Sequence, residues 1–496
     1  MSELMAVITQ RQRRPQIVGK LVKPPEMINP LIIIKTGKAD SACSAVIAPA
    51  NPVLREPCRC HLPVEAIIKV KMDRVCLVTC HATVLSRNSG QMDIAPQYYE
   101  CNDPLVTPIH RTSQQGIPAM NNLRNVMSPI ETATGLPNDC YVDDEMYRHE
   151  QDTLFRDSWA AIGFGKDIAD PGMARPVAFL GIPMLMVRNA DGQVNVFQNV
   201  CRHRGMILID EPVRLRGPIT CPYHAWAYDL DGNLRRTPHV GGPDIDAHES
   251  VKTCDLPLIR VRSHVWRDVI FVNVGCEALE FETAAAPLIN RWKEFDQPLI
   301  HTGADSSISF TLECNWKLAV ENYCEAYHLP FVHPTLNTYS RLEDHYNIME
   351  SGGFAGQGTT VYQPQISEDG RRFPRYDDLS SHWDAGAEYI ALFPNVLLGV
   401  HNDHAFAILL LPDGPGRTRE QVEIYYADEA ARGDEFAEMR TTNTEMWRTV
   451  FAEDIGVVEG MQRGRHASGY DGGKFSAVMD APTHHFHAWV ADRLSR

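Results

Sequence analysis

Apolar and polar positions along this chain change their pattern several times. Residues 1–126 show no sustained helical or strand period and are rich in Pro, so they are not expected to pack as a domain. At residues 143–145 an acidic start opens a stretch in which Met146, Leu154, Phe155 and Trp159 recur at near-helical spacing, which predicts an amphipathic helix. From residue 160 to about 274 the pattern becomes short β-branched and apolar runs separated by Asp191-Gly192 and Asp231-Gly232. Asp-Gly between such runs marks hairpins, so a small antiparallel β domain is expected, closed by a strand over 263–273. Beyond it the periods mix. Residues 278–297 read helical, 306–316 as a strand, 316–327 as a helix, 389–400 and 405–411 as strands, and 428–458 as one or two long helices. The fold class is therefore α+β: an extension over 1–126, a helical segment over 127–159, the β domain over 160–275 and an α+β domain over 276–496.

Charge sharpens the first boundary. Residues 1–126 carry a net +6 and residues 127–496 a net −22, within a chain of −16. The extension also holds six of the thirteen Cys. It reads as disordered or as an upstream mis-start, since Met120 and Met127 both precede organised sequence. Arg11 to Arg14 look like a signal peptide only superficially, because no apolar core follows. Cys58, Cys60, His61, Cys76, Cys80 and His81 offer a zinc site, with unstructured sequence as the commoner reading. No run of 18 apolar residues occurs, so no membrane span is expected. The acidic balance argues against broad nucleic-acid binding and suits an enzyme of a reducing cytoplasm.

The chemistry concentrates in two stretches. The first, from Cys201 to His224, holds Cys201 with His203 and Cys221 with His224, separated by 17 residues that can fold back and bring both pairs together. Four such ligands suit a tetrahedral zinc or a two-iron cluster with Cys on one iron and His on the other. Each turn supplies one Cys and one His, which favours the [2Fe-2S] cluster. The second stretch, 315–334, holds Glu325, His328 and His333. Read as a helix, it places Glu325 and His328 on one face; Pro330 then ends the helix and lets His333 swing back beside His328. Two imidazoles and a carboxylate form a facial triad for iron(II) with positions left open for O2 and substrate. Glu325 or Asp454, 121 residues beyond His333, supplies the carboxylate.

These motifs, 199-NVCRHRG-205, 221-CPYHAW-226, the segment from Glu321 to His333, and Glu453-Asp454, resemble the catalytic α subunit of a Rieske non-haem iron oxygenase over most of residues 136–496. The resemblance implies a Rieske domain ahead of a helix-grip-like catalytic domain. It also implies His328, His333 and Asp454 as ligands of a mononuclear iron, and Glu325 as the bridge for an electron arriving from His203 or His224 of a neighbouring subunit, hence a homotrimer. Glu at 325, where the naphthalene type has Asp, is similar to enzymes acting on quaternary ammonium compounds. The expected reaction is hydroxylation or demethylation of such a small substrate; the alternatives are aromatic ring dioxygenation, or an electron-transfer or zinc-binding protein without oxygenase activity. A cation would want an aromatic cage, for which Trp383, Tyr389, Phe393, Tyr339 and Tyr346 are candidates. The chain shows no strand–GxGxxG–helix unit and no P-loop, and Gly352 to Gly358 lack the order for either. Electrons from NAD(P)H must then come through a separate flavin or iron-sulfur reductase. His484, His485 and His487 read as a helix surface with one buried imidazole rather than a further metal site.

Overall fold

The computed structural model describes residues 123–350, 352–470 and 472–496 and, as a separate unit, the backbone of two strands near the N-terminus. Those strands, Ala6–Arg11 and Arg14–Gly19, pair antiparallel with Ala6 opposite Gly19, in a stretch where no strand period was expected. The Cys58 to His81 group and Met120 lie outside the described residues. In the larger unit the described residues start at Leu123, four residues ahead of the expected boundary, and are already packed there. The helix Leu123–Val126 buries both of its terminal residues, and His484 Nε2 donates to the Val126 carbonyl at 2.9 Å.

The predicted amphipathic helix is Asp144–Glu150, capped by the Asp143 carboxylate, which accepts from the N–H groups of Glu145 and Met146. It runs on as one wide turn, Gln151–Phe155, and stops short of Trp159. Glu150 on this helix is fully buried against Lys317, with Nζ 2.6 Å from Oε1. That pair ties the N-terminal segment to the helix Trp316–Cys324.

The lobe that carries Cys201 to His224 is built from small antiparallel sheets. Val194–Gln198, Ile182–Arg188, Met173–Phe179 and Val213–Arg214 form one; Leu234–Arg236, Ala227–Tyr228 and Ile219–Thr220 form another. Gly192 and Gly232 occupy the predicted hairpin turns at φ +80° and +86°, where a residue without Cβ is favoured. Phe197, Trp226, Tyr228 and Leu258 give this lobe its own core, packed against Cys201 and Cys221. The strand expected over 263–273 is instead a hairpin, Ser263–Trp266 with Val269–Val272. Its turn residues, Arg267 and Asp268, both have positive φ, 49° and 63°. No Gly announces the turn; it is held by the Asp268 carboxylate, which accepts from Lys166 N and from Tyr425 Oη.

The C-terminal lobe is an eight-stranded antiparallel sheet, a six-strand meander with two earlier strands both pairing with its last strand. Its long central strand, His404–Pro412, is covered on both faces: Phe406, Ile408 and Leu410 face one core, while Ala405, Ala407, Leu409 and Leu411 face the other. On the first face lie the helices Trp316–Cys324, Ala437–Gly464 and Ala481–Leu494; on the second lie Phe281–Ala284 and Ala286–Arg291, with a 3-10 turn completing the 278–297 stretch. Two expectations change here. Residues 389–400 are a pair of strands, Ala387–Leu392 and Val396–Val400, because Pro394 and Asn395 turn the chain. The long helix starts at Ala437, since 3-10 turns capped by Asp428 occupy the stretch before it.

Candidate metal centres

The two cluster loops fold alike. Cys201 N–H donates to Met206 O and Gly205 N–H to Cys201 O; correspondingly, Cys221 N–H donates to Trp226 O and Ala225 N–H to Cys221 O. The fourth residue after each Cys has positive φ, 75° at Gly205 and 55° at Ala225, which closes each loop tightly. The thiols of Cys201 and Cys221 are buried, free, and within hydrogen-bond reach of each other. The rings of His203 and His224 lie 4.8 Å apart. Trp226 stacks on His203 at 4.6 Å and Tyr223 on His224 at 3.7 Å, fixing both rings near the surface.

The donor set fits a two-iron cluster. His224 Nδ1 is buried without a hydrogen-bond partner, an acceptor that a metal would satisfy. Among the described residues only His328, His333 and Asp454 offer three ligand atoms all within 4.8 Å of one another. The Cys/His quartet is therefore spread too widely for one tetrahedral zinc, whose bonds of about 2.0–2.3 Å hold four ligands closer than that. The Tyr228 hydroxyl lies 3.4 Å from Cys201 Sγ and accepts from Arg202 N–H at 3.0 Å, so its own hydrogen points at sulfur. Burial pushes the Cys201 thiol up, and the Tyr228 hydrogen bond opposes that. Tyr228 was not singled out from sequence; its place two residues beyond Trp226 was the available signal.

At the second centre His328 Nε2 and His333 Nε2 stand 3.7 and 3.1 Å from Asp454 Oδ1. Each imidazole is anchored through its other nitrogen. His328 Nδ1 donates to Glu325 Oε1 at 2.7 Å and His333 Nδ1 to Glu453 Oε2 at 2.8 Å. A carboxylate only accepts, so both rings carry hydrogen on Nδ1, and Nε2 is the atom each turns toward Asp454, a metal ligand when it holds no proton. Burial alone would lower the His333 pKa, but Asp454 and Glu453 outweigh it and raise it. Asn322 Nδ2 donates to Asp454 Oδ1 at 3.1 Å. These donors fit one divalent ion with open positions.

The local geometry differs from the helix expected over 316–327. That helix ends at Cys324, and Glu325 is extended, at φ −127° and ψ 158°. Its side chain therefore reaches His328 across a turn, where it also accepts from the N–H groups of Tyr327 and His328. Pro330 does not end a helix; it sits in the first turn of a short new one, Leu329–Val332, where its missing N–H costs nothing. His328 and His333 flank that single turn, which is why their rings meet at 5.0 Å. Glu321, though inside the sequence motif, faces away from the triad: it accepts from Tyr141 and Arg465, and His487 Nε2 lies 3.2 Å from its Oε1. His487 is the one buried imidazole of the C-terminal helix.

A cavity of about 50 Å³ adjoins the triad, walled by Tyr323, Tyr389, Phe406, Trp447 and Phe451. Asp454 is the only acidic or basic side chain on its surface besides the imidazoles of His328, His333 and His345. Phe406 gains its place because Gly399 lies opposite it in the sheet, and a Cβ there would strike the ring. Of the five aromatic candidates only Tyr389 lines this cavity. Trp383 and Tyr346 belong to the core on the far side of the sheet, Phe393 packs on the C-terminal helix, and Tyr339 packs on Tyr362. Tyr323, Phe406, Trp447 and Phe451 were not foreseen, because residues from distant segments assemble the wall. His345 is held between Gln357, 2.6 Å, and Ser340, 3.0 Å; Gln357 Nε2 in turn donates to the Glu325 carbonyl at 3.1 Å.

Comparison with known proteins assigns both halves. Residues 158–254 match the Rieske [2Fe-2S] domain, and residues 289–496 match the catalytic domain of the ring hydroxylating alpha subunit. The chain is 28% identical over 383 residues to the chloroplastic choline monooxygenase of Arabidopsis thaliana, covering 74% of this chain and 84% of that one. It is 26% identical over 383 residues to the carnitine monooxygenase oxygenase subunit of Escherichia coli K12, covering 74% and 96%. A crystal structure of the quaternary ammonium Rieske monooxygenase CntA with inhibitor MMV12 superposes at TM-score 0.62 with 22% identity, covering 75% of this chain and 98% of that one. Naphthalene 1,2-dioxygenase from Rhodococcus sp. shares the fold at TM-score 0.60 with 16% identity, covering 76% and 98%.

Proposed function

The chain belongs to the Rieske non-haem iron oxygenases, and from that premise we propose that it is the terminal component of a monooxygenase acting on a small quaternary ammonium compound. The observation that carries this reading is the triad cavity. Two carboxylate-anchored imidazoles and Asp454 converge beside five aromatic rings, with no further charged group to compete for a cation. Such rings attract a trimethylammonium group through their faces. Relatives named for choline and carnitine point the same way, and one named for putrescine takes a different organic cation.

In this reading residues 160–275 form the Rieske domain and 276–496 the catalytic domain. Cys201, His203, Cys221 and His224 hold the [2Fe-2S] cluster, while His328, His333 and Asp454 hold the iron. When bound, the cluster supplies single electrons and the ferrous ion supplies the positions at which O2 is activated. Glu325 keeps the hydrogen of His328 on Nδ1 and offers its carboxylate to an imidazole of a neighbouring subunit's cluster loop. Tyr327 and Phe331 beside Glu325 are 49% and 79% exposed, and Tyr223 at the cluster tip is 54% exposed. Exposed apolar rings at both ends of that path suit a homotrimer in which one subunit's tip docks on the next. The rings around the triad exclude water, and Asn322 orients Asp454.

Electrons are expected from NAD(P)H through a separate flavin or iron-sulfur reductase, whose basic face the acidic surface would steer. Among the described residues no helix is long and apolar enough to cross a membrane, and we assign the protein to the cytoplasm. Iron and acid-labile sulfide analysis with a visible spectrum tests the cofactor assignment. Product analysis with reductase present tests the substrate. An alcohol, or an aldehyde split from the ammonium compound, supports the reading; a cis-diol from an aromatic substrate transfers it to ring dioxygenation, the second activity found on this fold.

A further inference from the structure

The helix Ala437–Gly464 brings Trp447, Phe451 and Asp454 to the triad cavity together, because residues four and seven apart share one helix face. One element thus carries both a candidate ligand and two rings of the wall. The cavity of about 50 Å³ takes roughly four groups of water size, at about 10–15 Å³ each. In so small a space the exact place of a wall ring decides what is admitted.

Two kinds of contact place Trp447. Its ring lies nearly parallel to Tyr362, at 5.9 Å and 13°, and to Phe451, at 5.5 Å and 19°. Offset parallel rings resist tilting but let an aromatic slide in its own plane. An indole has one polar hydrogen, and the direction that hydrogen takes fixes the ring within that plane. Trp447 Nε1 donates it to His404 Nε2 at 3.0 Å, and both side chains are buried.

His404 can accept only through a lone pair on Nε2. Its own hydrogen is therefore on Nδ1, which donates to Asp403 Oδ1 at 2.6 Å. The adjacent strands Val396–Val400 and His404–Pro412 are joined by residues 401–403, and His404 shares a strand face with Phe406 of the cavity wall. His401 N–H donates to the His404 carbonyl at 2.9 Å, which closes the turn and stacks the two imidazoles at 4.1 Å and 5°. His401 Nε2 in turn meets the hydroxyl of Tyr389, another wall ring, at 3.2 Å. Burial, with His404 beside it, holds the His401 pKa well below its ordinary range, which keeps that ring neutral.

We propose that His404, held in one tautomer by Asp403, is a positioning residue for the reaction: it pins Trp447 from behind and so sets the largest cationic head that the triad cavity admits. The inference rests on the quaternary ammonium reading for the charge of that head and adds what limits its size.

Calorimetric titration of the metal-loaded enzyme under argon tests this with two cations of different size, tetramethylammonium and tetraethylammonium, and an uncharged pair, tert-butanol and triethylmethanol. Wild type should favour the smaller cation by at least about tenfold, since the larger one needs the wall to move. In His404→Leu that preference should fall at least about fivefold, the scale of one hydrogen bond, and His404→Gln, whose amide oxygen replaces Nε2 as acceptor, should restore most of it. Asp403→Asn serves where His404→Leu does not fold. Its amide can donate to Nδ1 and so admits the tautomer that cannot accept from Trp447, and the preference should fall about two- to threefold. In a Trp447→Phe background His404→Leu should add little, because the two act through one contact. Fluorotryptophan labelling reads the ring itself: the fluorine resonance missing in Trp447→Phe should shift or broaden in His404→Leu and return in His404→Gln. An unchanged size preference in both His404→Leu and Asp403→Asn, an unmoved Trp447 resonance, or an equal loss on adding His404→Leu to Trp447→Phe overturns the proposal. If the alcohols bind as well as the cations and their size preference collapses in His404→Leu, the wall stands and the quaternary ammonium reading falls.

Discussion

Glu453 offers a direct measure of how far the surroundings of a ligand set metal affinity. Its carboxylate accepts from His333 Nδ1 at 2.8 Å, on the side of the ring opposite Asp454. In Glu453→Gln the side-chain amide can still accept that hydrogen bond, but the negative charge that makes His333 a stronger base is gone. Loss of such a partner costs about 10–100-fold in metal affinity. The pH dependence gives a second, independent handle. In the metal-free chain burial lowers the His333 pKa, yet Asp454 and Glu453 raise it overall. Metal must therefore displace a proton from wild-type His333 at acid pH, and less so from the variant. The wild-type to variant affinity ratio should be about 10–100 near pH 8 and should shrink toward about pH 6. Titration of Fe(II) or Co(II) into protein carrying its cluster but no mononuclear ion, followed by calorimetry at both pH values, reads both quantities. A ratio below about threefold at the higher pH, or one that grows on acidification, would refute the reasoning. Glu453→Ala, which also frees the ring to rotate, should bind more weakly than the Gln variant.

Three further outcomes follow from the same geometry. Glu325→Gln, with iron supplied in excess of the weakened His328 site, should slow oxidation of the reduced cluster in a single turnover by at least about tenfold, the scale of a lost ligand partner; stopped-flow rates equal to wild type would remove Glu325 from the electron path. Lys317→Met strands the fully buried Glu150 carboxylate and should cost about 3–5 kcal/mol, most of it recovered in Lys317→Met/Glu150→Gln; urea midpoints within error of wild type for the single variant would contradict this. Burial, with Asp454 beside it, pushes the Glu420 carboxyl from its ordinary 4.5 up to about 8 in the metal-free chain. The folded state then holds a proton that the unfolded state releases, so this contribution to stability is complete below pH 4.5 and is lost as pH rises toward 8. Relative to Glu420→Gln, metal-free wild type should lose on the order of 3–5 kcal/mol across that window, and parallel stability–pH curves for the two proteins would rule it out.

What the sequence determined by itself is local. Cys201 with His203 and Cys221 with His224 sit in two tight loops, and His328 and His333 flank a single helical turn; within each pair the spacing keeps the candidate donors close. The Asp-Gly hairpins and the alternation of the sheet were legible for the same reason, since each is fixed by a few consecutive residues. Tertiary structure decided what depends on packing between distant segments. The sequence left the third ligand open between Glu325 and Asp454. The carboxylate that meets both Nε2 atoms is Asp454, because the helix Ala437–Gly464 crosses the sheet face beside Trp316–Cys324. Glu325 still reaches His328, but through an extended residue after the helix rather than along a shared helical face. The arginine-hairpin turn at 267–268 carried no glycine signal, because a side-chain hydrogen bond from another strand stabilises it. Four of the five rings around the triad were invisible for the plainest reason: hydrophobicity says that a ring is buried, and only the packed sheet and helices say against what.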